Sequence, residues 1–450
     1  MIERRSFLKS AIGSLGAAAE PLLPAEDESF LGEQARRIAL SARLAPGELG
    51  GKRRNETPYT IRVPGGNMGY PAFWVRDAVM MLGGDLIPAA ELEGWIRLMC
   101  STVPGPRDWH VRPGVVVPAF SIPDHINFDG RPTFYPGNYE TGEKQGGRPF
   151  GKYPPIDDHY YFLTAVWHHW KLTRSTRLFQ ETVKTAWGEM QLAELCERVY
   201  ATPAADRATG LCVSADTEAE HAIDFGFCDT VRKSGKLLFP SLLKMVAARQ
   251  MAELFHEAGR KDEARRFEGE ARRIRGAIPQ TFLRDAGGTE AWLHSATGVC
   301  NQTDVWGSAF AVWCDAVDGA VADKLGRAVA RAFRERTAVR EGCVRHILTT
   351  DRVNGGGWEG CDRLGVYQNG GYWGTPAGWY ITAVARVDRS AARAMAVEYV
   401  RFLRDHMRPD GVSEAWEWFN PDTGRNANPL YAATVILPWL SLKQAGLCGS

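Results

Sequence analysis

The sequence predicts an all-α toroid of six helical hairpins, an (α/α)6 barrel with long loops and some short β pieces on one face. Three observations lead there. Apolar residues recur with helical periodicity through most of the chain. The connections between the helical stretches alternate short and long, as stacked hairpins require. No fixed-period repeat of the kind an open solenoid shows is present.

In order, the periodic stretches cover 27–43, 74–84, 88–101, 157–172, 176–200, 238–258, 261–280, 304–315, 320–335, 374–386, 389–407 and 428–444. Pieces rich in Gly, Pro and Asp separate them, which are residues that end helices and build turns. Connections after 84, 172, 258, 315 and 386 are a few residues long. Those after 43, 101, 200, 280, 335 and 407 are all long. Five hairpins can be counted directly, and the first and last helices close a sixth. Within the long connections, "CVRHILTT" and "PGVVVPAF" read as short strands.

The 450 residues are 44% hydrophobic and 24% charged, within the globular range, and no linker divides them. One large domain over 26–450 is expected. The formal charge is +1, and no Lys/Arg stripe suits a phosphate backbone, so nucleic acid is not an expected partner. The opening "MIERRSFLKSAIGSLGAAAEPLLPA" resembles a twin-arginine export signal, with Arg4-Arg5 ahead of a short apolar stretch and Glu3 as a departure. Residues 1–25 are expected to direct export to the periplasm or medium. No later apolar run is long enough to span a bilayer, so no membrane is expected once the signal is removed. The nine cysteines show no metal-ligand spacing and are expected mostly as buried small hydrophobes.

Each long loop carries a polar and aromatic cluster: "FWVRDAV", "YPPIDDHYYF", "DFGFCDTVRKSG", "NQTDVWGS", "GGGWEGCDRLGVYQNGGYWGTP" and "SEAWEWFNPDTG". In a ring they converge on one cavity lined by Trp, Tyr, Asp, Glu and Arg. Carboxylates and Arg hydrogen-bond paired hydroxyls while flat rings cover C–H faces, so the cavity suits a sugar. From these clusters Asp158, Arg232, Trp306 and Trp416 are candidate sugar contacts. His159 and His221 also lie on the loop face, while His168 and His169 fall within a helix.

The motifs resemble those of the six-hairpin glycosidases, most of all glycoside hydrolase family 63 with its mannosylglycerate hydrolase and trehalase-like relatives. "EWFNPDTG" is similar to the family segment whose Glu is the general base, which places that role on Glu417, with Glu414 as substitute. "CDTVRKSG" is similar to the loop carrying the general acid, which places it on Asp229, with Asp224, Glu359 and Asp362 as alternatives. Phe-Cys precedes Asp229 where the family has Gly-Trp, and Arg232 stands one position closer. "FWVRDAV" resembles the segment that grips the terminal sugar, implying Trp74, Arg76 and Asp77. "YQNGGYWGTP" resembles the loop shaping the same subsite, implying Tyr367, Asn369 and Trp373.

The resemblance implies an exported inverting hydrolase acting from the non-reducing end on a small, α-linked glycoside or oligosaccharide. Two carboxylates serve that reaction, one delivering a proton to the leaving oxygen and one activating water. No cofactor or metal is implied, although some relatives brace a loop with calcium. A sugar epimerase or polysaccharide lyase on the same ring would depend on His or Tyr instead. A carbohydrate-binding protein without turnover is the remaining alternative.

Overall fold

Two kinds of helix alternate along the chain, and the alternation builds a double ring. The computed structural model describes residues 21–66, 70–112, 115–134, 144–145, 148–149, 157–214, 230–285, 287–361 and 363–449. Its helices are α1 (Ala25–Ser41), α2 (Val75–Met80), α3 (Ala89–Thr102), α4 (Asp158–Thr173), α5 (Arg177–Gln180), α6 (Leu192–Ala201) and α7 (Leu238–Glu257). They continue as α8 (Lys261–Phe282), α9 (Val305–Trp313), α10 (Gly319–Arg334), α11 (Ala377–Ala385), α12 (Arg389–Asp405) and α13 (Ala432–Gln444).

The α7, α9, α11 and α13 helices are apolar nearly all round, the pattern of a helix enclosed on every side. By contrast α8 buries Ala264, Phe267, Ala271, Ile274 and Ile278, one seam at alternating steps of three and four residues. Packing follows this division. The inner helices contact one another in the cycle α2, α4, α7, α9, α11, α13 and back to α2, which closes the ring. The one-faced helices α1, α3, α6, α8, α10 and α12 lie outside it, each against an inner neighbour. The (α/α)6 toroid is therefore present.

Whereas α4 reaches α6 through α5 and a hairpin, short turns join α2, α7, α9 and α11 to the outer helices that follow them. Two use an aspartate N-cap: Asp318 accepts from Val321 N–H at 2.8 Å and Asp388 from Ala391 N–H at 2.9 Å. Every inner helix instead follows a long connection, so all six N-termini open on the same face. Their partial positive charges converge there, which favours carboxylates in the first turns. Asp77 and Asp158 occupy such positions, and Asp304 caps α9 by accepting from Gly307 N–H.

Two expectations need correction. The stretch 176–200 is not one helix: after α5 the chain forms a hairpin pairing Thr182–Lys184 with Glu189–Gln191, and only then α6. The β-branched Thr182 and Val183 and the turn at Gly188 favour strands, and Val183 is buried between exposed neighbours. The α2 helix ends at Met80 because Gly83 and Gly84 follow with φ of 145° and 54°. A Cβ on Gly84 would come within 2.7 Å of the Trp439 ring on α13, so this closure of the ring requires glycine.

The predicted strands occur: Val115–Val117 pairs with Trp109–Arg112, and Cys343–Val344 with Val339–Arg340. Leu22 and Leu23 are buried in the core, and Leu22 N–H donates to Leu447 C=O at 2.9 Å. The folded unit thus includes residues ahead of the boundary drawn at 25. No helix among the described residues is long and apolar enough to cross a membrane. Eight cysteines are described, and six of them are buried.

Candidate active site

A two-stranded hairpin between α12 and α13 sets the position of Glu417. Trp418 pairs with Ala427 and Asn420 with Arg425, around a turn in which Asn420 Oδ1 accepts from Asp422 N–H at 3.0 Å. This register places Asn428 opposite Glu417, whose backbone N–H donates to both Ala427 and Asn428 carbonyls at 3.1 Å. Glu417 is buried, and Asn428 Nδ2 and Tyr70 Oη both donate to its Oε2, the latter at 2.8 Å. Two donors on one buried carboxylate oxygen favour the ionised form. Both come from left-handed backbone, with φ of 54° at Tyr70 and 51° at Asn428. Asn tolerates that conformation, but Tyr adopts it at a cost of about 1–3 kcal/mol, and such strain concentrates at functional sites.

From Glu417 a chain of contacts leads to the start of α2. The Tyr70 ring lies 5.3 Å from Trp74 and 6.4 Å from Tyr431. Tyr431, the residue before α13, donates its hydroxyl to Asp77 Oδ1. Burial raises the Tyr431 hydroxyl above its usual range, and the charges of Asp77 and Glu417 add to this, so it remains a donor.

Beside Asp77, Arg76 forms a bidentate pair with Asp157 at 2.8 and 2.9 Å and stands 3.8 Å from Asp158. Burial alone would lower the Arg76 pKa, but Asp157 and Asp158 more than offset it and the guanidinium stays charged. Asp124 completes the cluster, taking His125 Nδ1 at 2.8 Å, and the Trp74 ring stacks on His125 at 4.2 Å.

Four buried carboxylates around one guanidinium cannot all ionise cheaply. Asp77 is pushed up to about 6, by burial first, against the pull of Tyr431 and Arg76 and with Asp124 adding to the rise. Asp158 is raised well above the carboxylate range, again by burial first; Arg76 opposes this while Asp157, Asp124 and Asp77 reinforce it. Among the described residues, neither Asp158 oxygen nor the Trp74 indole N–H has a hydrogen-bond partner. Buried polar atoms left in this state mark a place for a polar ligand.

The sequence candidates divide as follows. Glu417, Trp74, Arg76, Asp77 and Asp158 fall in this one network. Trp373 joins through its ring 6.4 Å from Tyr431; Trp306 and Tyr367 pack on Trp373 at 5.6 and 5.2 Å. Trp306 and Trp373 are fully buried, so they form the wall behind the site.

Trp416 and Asn369 are corrections. Trp416 packs against Phe402 and His406 at the end of α12, and its ring meets Phe419 at 6.2 Å. Asn369 accepts from Trp358 N–H at 2.7 Å and donates to Cys361 C=O at 3.4 Å, so its amide staples the loop. Glu359 is exposed, with its carboxylate on Cys300 N–H at 2.9 Å, and Glu414 is half-buried. Arg232 is half-buried at the foot of its loop. Asp229, Asp224, Asp362 and His221 lie outside the described residues. His159 is buried and its Nε2 accepts from Ile122 N–H at 3.4 Å, a link to the neighbouring loop.

Sequence reasoning missed Tyr70, Asp124, Asp157, Asn428 and Tyr431. A hairpin reading of "WFNPDTGRNAN" would have found Asn428, since the turn sets it across from Glu417. Tyr70 and Asp124 carry no local signal. Among the described residues no group of three or more His, Cys, Asp or Glu is arranged to hold a metal.

Sequence comparison finds no matching family profile and no matching curated protein. Structural comparison finds the same fold in carbohydrate-cleaving enzymes. The glucoamylase from Saccharomycopsis fibuligera matches at a TM-score of 0.53 with 11% identity, over 95% of this chain and 98% of that one. The Hypocrea jecorina Glycoside Hydrolase Family 15 glucoamylase matches at 0.57 with 11% identity, over 94% of this chain and 73% of its own. A Streptococcus pneumoniae metal-independent alpha mannosidase, complexed with alpha-1,6-mannobiose, matches at 0.52 with 13% identity over 94% of each chain. The fold is thus that of the six-hairpin glycosidases.

Proposed function

We propose that the protein is an inverting glycoside hydrolase that removes a terminal α-linked sugar from the non-reducing end of a small glycoside or oligosaccharide. The observation that carries this is the setting of Glu417: buried, hydrogen-bonded by Tyr70 and Asn428, and in reach of the Arg76–Asp77 cluster through Tyr70 and Tyr431. In this reading Glu417 draws a proton from water as it attacks the anomeric carbon. Asp229 delivers a proton to the departing oxygen. Asp77 and Arg76, with the Asp158 carboxyl and Trp74 indole N–H beside them, hold the hydroxyls of the terminal ring. The names of the matching structures, glucoamylase and alpha mannosidase, support a glycosidic substrate and an α linkage.

Export through a twin-arginine signal belongs to the same proposal. Leu22 and Leu23 are core residues, so processing that preserves the fold cuts ahead of them.

The test is Glu417→Gln assayed on a panel of aryl α-glucosides and α-mannosides. Loss of about 10²–10⁴-fold in kcat at an unchanged melting temperature is expected for removal of a general base. Undiminished turnover, or abolition by His159→Ala while Glu417→Gln is spared, would sink the reading in favour of histidine chemistry.

A further inference from the structure

Of the fifteen tryptophans, only Trp109 and Trp187 are exposed, at 42% and 45%. Both border the connection between α3 and α4, which also supplies Asp124 and His125 to the site. Trp187 stands at the tip of the hairpin that interrupts the helical alternation between α5 and α6. Thr185 fastens that tip, its N–H and hydroxyl both donating to Gly188 C=O at 2.7 Å.

The indole is braced and does not fill a core. A Cβ on Gly105 would lie 3.2 Å from it, and Phe120 meets it edge-on at 6.4 Å. Phe120 has φ of 61°, a conformation a bulky side chain rarely adopts, so the backbone is strained where it supports Trp187. Arg198 lies 5.9 Å from the Phe120 ring and pairs at 3.6 Å with Glu194, and both are more than half exposed. Ala186 N–H donates to Val103 C=O at 3.3 Å and Thr202 Oγ to Ala119 C=O at 3.1 Å. Those bonds tie the platform to the ends of the outer helices α3 and α6, on the loop-bearing face.

We infer that Trp187 and Phe120, flanked by Arg198 and Glu194, form a second glycan-binding site on the outer rim, separate from the catalytic cup. A braced, exposed indole offers a flat apolar face for a pyranose, and the guanidinium and carboxylate supply a donor and an acceptor for its hydroxyls. The inference rests on the carbohydrate reading only for the class of ligand.

Affinity electrophoresis through gels containing soluble starch, dextran or α-mannan tests it without any turnover. All variants carry Glu417→Gln, so the polymer is not digested whatever its linkage. At least one polymer is expected to retard the parent, and Trp187→Ala to weaken that binding by about tenfold, the scale of one ring–sugar stack. Trp187→Phe, which keeps a ring, is expected to retain part of it. In a chain with Glu417 intact, Trp187→Ala is expected to leave hydrolysis of a small aryl glycoside unchanged. Retardation by none of the polymers, or equal retardation of Trp187→Ala and its parent, overturns the inference. A change in sedimentation on Trp187→Ala with retardation unaltered also overturns it, and makes the platform a contact between copies of the chain.

Discussion

Replacing Tyr70 by Phe removes one oxygen and leaves the ring contacts with Trp74 and Tyr431 in place. The oxygen lost donates to Glu417 Oε2 at 2.8 Å in a buried setting. A hydrogen bond to a charged group contributes about 1.5–3 kcal/mol, and one pKa unit corresponds to about 1.36 kcal/mol. The donor stabilises the ionised form, so its loss makes Glu417 hold a proton more tightly by about 1–2 units. A general base works only when deprotonated. The acidic limb of the kcat/KM profile is therefore expected to move to higher pH by that amount, with the alkaline limb fixed. Steady-state rates on an aryl α-glycoside from about pH 3.5 to 9 measure it. An acidic limb that stays in place while the variant remains active would refute the role given to Glu417 and its donors.

Arg76→Ala strips the buried Asp157 of its bidentate partner, and urea unfolding is expected to show a loss of about 3–5 kcal/mol. The Asp77 carboxyl, raised from 3.8 to about 6, adds stability that is complete below pH 3.8 and lost as pH rises through 6. Relative to Asp77→Asn, the wild type should lose about 3 kcal/mol over that window, and parallel pH–stability curves for the two would contradict the assignment. Asp158→Asn replaces a buried acid that has no hydrogen-bond partner among the described residues and whose affinity for a proton is raised. By the same sign its melting temperature is expected to exceed that of the wild type at about pH 8 and to converge with it at about pH 3.5.

The double ring was legible because it depends on helical periodicity and on the lengths of connections, which are local and countable. The hairpin at 182–191 was not, since "TVKTAWGEMQ" sits between two helical stretches whose period runs on if Gly188 is read as tolerated. At the site, Glu417 and the Arg76–Asp77 pair were readable from motifs, whereas the groups that fix their charge came from elsewhere. Tyr70 reaches Glu417 across 347 positions and Tyr431 reaches Asp77 across 354, which is the consequence of closing a ring with its first and last helices. Trp416 and Asn369 misled because their residue types suit sugar contacts. Which neighbours a loop ring packs against, and which loop amide staples its own backbone, depends on contacts that the pattern alone does not contain.

Proton NMR of the first-formed product tests the central claim most directly. With an aryl α-glycoside and enough enzyme to outrun mutarotation, a water activated by Glu417 must attack opposite the leaving group. The account predicts that the free sugar appears first as the β anomer, and that Glu417→Gln releases neither. First appearance of the α anomer, or release of sugar at the wild-type rate by Glu417→Gln, would contradict it.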